Sequence, residues 1–152
     1  MCFIPFVATR TPPTLVPEFP PTPGTALHPL HPQYAAVADK FTLPHCAALK
    51  IAHGCGCWLR YMDYPDPKEM EYMVQLKVSD PGYNPADKQV NHDALADYLT
   101  EHFRQDEFVE FFGFFSGDAG QPARARQQIP VSAIRHPHFH FHGGTIYRLV
   151  FE

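Results

Sequence analysis

Glu107-Phe108-Val109-Glu110-Phe111-Phe112-Gly113-Phe114-Phe115-Ser116 is apolar in both of its alternating registers. Phe108, Phe112 and Phe114 occupy one register, and Val109, Phe111 and Phe115 the other. A strand with one wet face alternates apolar with polar. This run does not, so it predicts a central strand covered on both sides. Glu110 is the charge inside it. A carboxylate buried there needs a cation, with Arg124, Arg126 and Arg148 as candidates, or else a ligand to act on. A structural ion pair is the plainer expectation.

Working back from that strand, Leu95, Tyr98, Leu99, His102 and Phe103 recur at helical spacing, with Asp93, Asp97 and Glu101 opposite. The pattern predicts the main helix over 92–105, with Asn91 as its N-cap. Further back, Tyr72, Val74, Leu76 and Val78 alternate with Glu71, Met73, Gln75 and Lys77, which predicts a half-buried strand over 70–78. Ala47–Ile51 and Trp58–Tyr61 read as two more strands, and Gln33–Phe41 as a short helix with Tyr34, Val37 and Phe41 on one side. Met1–Val7 suits a sheet edge. Towards the C-terminus, Gly117–Arg126 reads as a loop, Val131–Ile134 as a helical turn behind Pro130, and Thr145–Phe151 as the last strand.

The expected fold is α+β: an antiparallel or mixed sheet of about five strands with one main helix on one face. Eight prolines between Thr11 and Pro32 exclude helix and central strand there, because each fixes φ and removes a donor. The chain therefore divides into a Pro-rich N-terminal arm, 1–32, and a single α+β domain, 33–152. Residues 11–32 could serve as a strap or as a docking segment for a protein partner.

A length of 152 residues suits one domain, and 45% apolar content is enough to build a core. The net charge of −4 argues against a nucleic-acid binder, which needs concentrated positive surface. The sequence has neither an apolar run near 18 residues nor a secretory signal, so the expectation is a cytoplasmic protein without a membrane span. In a reducing compartment four cysteines are expected to be free, metal-bound or catalytic rather than bridged.

Reactive chemistry concentrates in Ile51-Ala52-His53-Gly54-Cys55-Gly56-Cys57-Trp58. Thiolate metal sites usually use Cys-x2-Cys, and Cys-x-Cys is tighter and less specific. Its flanking glycines make a turn feasible. In regular strand the two α-carbons would stand about 6.5–7 Å apart, so an internal disulfide would be strained. Cys2 would add a third sulfur if the N-terminal segment folds back along the sheet, and His53 or Glu110 a fourth ligand. Cys2 exposed after removal of Met1 would also have the form of an N-terminal thiol nucleophile. The blander expectation is that Cys55 and Cys57 are small fillers in a glycine-rich turn packed by Trp58.

A second cluster is His136-Pro137-His138-Phe139-His140-Phe141-His142. As a strand it would put His138, His140 and His142 on one face, where neighbouring imidazoles chelate a divalent ion, and Phe139 and Phe141 in the core. The alternative is an amphipathic strand whose wet face is histidine. No phosphate loop, dinucleotide fingerprint or Ser-His-Asp context is present.

Met1-Cys2, Gly54-Cys55-Gly56-Cys57, Val109-Glu110-Phe111, Gly117-Asp118, Arg124 or Arg126, and Phe139-x-Phe141 with Gly144-Thr145-x-Tyr147 follow one another in an order that resembles a group of small uncharacterised bacterial proteins. These start Met-Cys and carry Gly-Cys-Gly-Cys. The resemblance spans about two-thirds of the chain, and Gly-Cys-Gly-Cys is its distinctive piece. It implies a shared fold and site but no reaction, and the Pro-dense arm and the histidine run depart from it.

Three functions follow as expectations. The first is a metal-binding domain, zinc-like, with ligands drawn from Cys2, His53, Cys55, Cys57, His138, His140 and His142. The second is a thiol-dependent enzyme or redox protein using Cys55 or Cys57. The third is a non-catalytic interaction or immunity-like module.

Overall fold

The computed structural model describes residues 3–54, 56–59, 85–115, 117 and 120–152, without the side chains of residues 57, 58 and 85–87. Six strands form one mixed sheet: β1 (Phe3–Thr9), β2 (Ala26–His28), β3 (His45–Lys50), β4 (Phe108–Phe115), β5 (Ala125–Pro130) and β6 (Thr145–Val150). Their order is β2-β3-β1-β4-β6-β5. Every pairing is antiparallel except β5 with β6, which is parallel.

β4 lies in the interior of the sheet, between β1 and β6, as its two apolar registers require. β1 is also interior rather than at the edge. Phe3, Phe6, Val7 and Ala8 are all buried, which a strand can satisfy only with cover on both faces. β5 replaces the expected loop. It is an edge strand with five of its six residues exposed, so it has no apolar alternation to announce it, and it closes on Pro130.

The main helix, α1, runs Pro85–Phe103 and continues as a 3₁₀ turn through Asp106. It starts six residues before the expected Asn91 cap, with proline in its first turn. Leu95, Ala96, Leu99 and Phe103 are buried against Val7, Ala47, Leu49, Val109, Phe111, Tyr147 and Leu149, giving the larger core. The opposite face of the sheet carries a smaller one. There the 3₁₀ helix Pro32–Lys40 sets Val37 and Tyr34 against Phe6, Phe112, Phe114 and Ile146. The Phe6 and Phe114 rings stack at 5.4 Å, with Tyr34 edge-on to both.

Of residues 1–32, Phe3–Thr9 and Ala26–His28 are strands of the sheet. The Pro-rich stretch between them is tied at both ends. Thr11 donates its backbone N–H and its hydroxyl to the two oxygens of buried Asp106. Val16 N donates to Leu27 O, and the His28 ring reaches Val16 O at 2.8 Å. The stretch is a strap laid beside the C-terminal end of α1. The strand expected over 70–78 lies outside the described residues. Trp58–Tyr61 is not a strand where it is described: Gly56–Leu59 is a 3₁₀ turn. No helix among the described residues is long and apolar enough to cross a membrane.

Candidate functional site

The turn that follows β3 is held from three directions. Asn91, fully buried in the middle of α1, accepts from His53 N at 2.8 Å and donates its amide to His53 O at 3.0 Å. One side chain thus satisfies both backbone groups of the residue that opens Gly-Cys-Gly-Cys. Asn91 is therefore a strut for this turn, and not the helix cap its sequence position suggested. One residue on, His92 places Nε2 2.9 Å from Leu59 O, at the exit of the turn, and Nδ1 2.9 Å from Ile134 O. Burial lowers the His92 pKa below the ordinary histidine value, and nearby Lys88 adds to this; the two carbonyls and Asp93 partly offset it.

The third hold is steric. Gly54 has φ +74°, a left-handed conformation that glycine adopts without strain. Gly56 lies so close to β1 that a Cβ built on it would fall 2.2 Å from the Phe3 carbonyl oxygen and 2.6 Å from Pro5 Cδ. Only glycine fits there. The N-terminal strand therefore runs against the centre of the Gly-Cys-Gly-Cys motif.

The histidine run is not a strand. Residues 136–144 form turns and irregular chain, with Phe139 half-buried and Phe141 fully buried. Phe141 stacks on Phe111 at 3.9 Å between ring centres and meets Tyr147 edge-on. The aromatic alternation therefore holds, but the imidazoles separate into two pairs, His136 with His138 at 5.5 Å and His140 with His142 at 4.5 Å. Without a strand, alternation no longer sets His138, His140 and His142 on one face; buried Lys88 bonds the Pro137 and Phe139 carbonyls and ties the run to α1. No group of three or more His, Cys, Asp or Glu that could hold a metal ion occurs among the described residues. The run does reach the cysteine turn through its backbone, since Phe141 N approaches Leu59 O at 3.5 Å.

Cys2 and Cys55 lie outside the described residues, as does the side chain of Cys57, whose backbone is in the Gly56–Leu59 turn. His53 is exposed. Cys46, on β3, is a free thiol that burial pushes up to about 12, which removes it as a nucleophile at neutral pH.

Glu110 has the cationic partners its burial demanded. Arg126 and Arg148 stand 3.9 and 4.0 Å from its Oε1, whereas Arg124 makes no ion pair with it. Sequence reasoning missed three further donors. Thr42 N at 2.7 Å, Thr42 Oγ1 at 2.8 Å and Leu43 N at 3.1 Å all converge on the carboxylate. These sit 67 and 68 residues away in the chain, in a segment with no pattern to announce them. No family model, curated protein or solved structure matches this chain.

Proposed function

We propose that the Gly54–Trp58 turn is the metal-holding site of a small α+β domain. Cys2, Cys55 and Cys57 would supply thiolates and His53 the fourth donor to a zinc-like ion. One observation carries this: the Phe3 carbonyl packs directly on the Gly56 α-carbon, in space too tight for any side chain. Cys2 immediately precedes Phe3 in the sequence, and Cys55 and Cys57 immediately flank Gly56. Three cysteines are thus sequence neighbours of the two residues that make this contact, in segments more than fifty residues apart in the chain. A tetrahedral thiolate centre draws its ligands from such meetings. The struts from Asn91 and His92 favour the same reading, because they fix the entry and the exit of the turn before any ion arrives.

Elemental analysis of untagged protein purified without chelator tests the proposal. The expected result is about one zinc per chain, lost in each of Cys2→Ser, Cys55→Ser and Cys57→Ser. Metal-free protein in which Cys55 or Cys57 alkylates rapidly at neutral pH would replace this reading with a thiol enzyme. Metal that survives the three serine variants but is lost in His140→Ala would move the site to the histidine pair.

A further inference from the structure

A second site lies across the sheet, on the face away from α1. Strand register places Arg148 opposite Glu110 on one side and Gln128 on the other, and Arg126 opposite Ile146. Arg126, Gln128 and Arg148 therefore share a face with Glu110. The 3₁₀ helix Pro32–Lys40 covers Phe6, Phe112, Phe114 and Ile146. Beyond its end the face opens into a groove of about 200 Å³ lined by these charged and amide side chains.

The hydrogen bonding within that groove is unusual for a structural ion pair. An arginine serving only to neutralise a carboxylate normally docks both prongs of its fork on the oxygens at hydrogen-bond distance. Here the oxygens of Glu110, whose side chain is 1% exposed, accept three hydrogen bonds from Thr42 and Leu43. Both guanidinium groups stand back at 3.9 and 4.0 Å, beyond hydrogen-bond range. They cancel the buried charge without spending N–H groups on it.

Each guanidinium is also propped. Arg148 lies over the Phe108 ring at 4.3 Å, and Arg126 gives one N–H to Lys40 O at 2.8 Å. Their side chains are 41% and 55% exposed, so donors face the groove. The Lys40 ammonium does not line the groove: it lies over Phe112 at 5.7 Å and donates to Gln121 O at 2.5 Å. Two guanidinium groups against one carboxylate leave a local charge of +1 in a chain whose net charge is −4.

We propose that this groove binds the phosphoryl group of a small ligand. The local positive charge attracts an anion. Two arginine forks supply the several directed donors that a tetrahedral oxyanion accepts. Gln128, beside Arg148, offers an amide donor on the same rim. Glu110 does not repel the anion, because it is covered and compensated; its part is to hold the two arginines at a fixed separation.

Titration of the full chain with inorganic phosphate at low ionic strength, followed by ³¹P NMR or calorimetry, tests this. The expected result is saturable binding of one phosphate per chain. Arg126→Gln and Arg148→Gln should each weaken it by about tenfold or more. Arg10→Gln removes the same charge near Phe108 from an arginine paired with Glu107, and should change the affinity by less than about twofold. Acetate should bind much more weakly than phosphate. Circular dichroism confirms folding, and if Arg148→Gln fails to fold, Arg126→Gln decides. Absence of saturation up to about 10 mM phosphate overturns the proposal. So does equal weakening by Arg10→Gln, which would mean diffuse attraction, and so does acetate binding as tight as phosphate.

Discussion

The two faces of the sheet solve the same problem with different materials. On the α1 face, polar side chains are buried beneath a long helix and bond to loop backbone. Lys88 reaches the carbonyls of Pro137 and Phe139, Asn91 both backbone groups of His53, and His92 the carbonyls of Leu59 and Ile134. On the other face a nine-residue 3₁₀ helix covers only part of the sheet, and the polar groups beyond it are charges at the edge of solvent. The first arrangement turns a helix into a bracket for loops. The second leaves donors presented outward. A buried polar group is tolerated where it is paired, and what it pairs with decides whether the face is sealed or open.

The sharpest way to break this comparison is to empty the middle of the open face. Glu110→Ala would strand Thr42 N and Leu43 N and leave Arg126 and Arg148 facing each other. Three hydrogen bonds to a charged acceptor are lost, at about 1.5 kcal/mol each, for a cost of about 4 kcal/mol. Arg126→Gln, at the exposed rim, should cost less than about 1 kcal/mol. Urea unfolding of the two variants checks the contrast. If they lose equal stability, the carboxylate is not the keystone of that face.

Next in size is Gly56→Ala. The added methyl meets the Phe3 carbonyl oxygen and Pro5, backbone and ring that cannot swing aside. Overpacking of this kind costs about 1–3 kcal/mol. It should also loosen the N-terminal strand, read as faster hydrogen exchange at Phe3 and Ile4 than at Phe111 and Phe112 in the same variant. Uniform exchange would mean that the strand and the turn are not coupled. Asn91→Ala follows at about 2 kcal/mol, since it removes two hydrogen bonds from a buried position. Because His53 is exposed, water replaces part of what its backbone loses. The variant should therefore lose less stability than Glu110→Ala, and with it some order in the turn.

How far these residues could be read in advance depended on whether their role left a periodic trace. β4, β6 and the core positions of α1 carry apolar patterns, and all three stand where those patterns put them. The α+β class and the partners of Glu110 follow from the same physics of burial. β5 was illegible because a wet edge strand has no buried face to mark. Asn91 was misread because asparagine caps helices from local geometry, whereas here it serves a turn 38 residues away. The Asn84-Pro85 pair, with proline suited to the first helical turn, is the better start signal. In the histidine run the alternation of Phe139 and Phe141 was legible, but the tie of its backbone to α1 was not, because it is made by a lysine far off in the chain.

The smallest effect concerns His92, where the α1 face is most exposed to challenge. Both ring nitrogens face carbonyl oxygens, and a neutral imidazole donates to only one of them. Burial nevertheless holds the pKa below its ordinary 6.5, with Lys88 pushing the same way and Asp93 against. The unfolded chain therefore takes up this proton at higher pH than the folded one does. The contribution of His92 to stability is complete above about 6.5 and declines as pH falls through the lowered folded value. His92→Gln keeps a donor and an acceptor but cannot titrate. The difference in unfolding free energy between wild type and this variant should thus shrink as pH falls from neutrality, while the other histidines cancel. A gap that widens in acid would mean that the two carbonyls outweigh burial and that the imidazolium is the form the fold prefers.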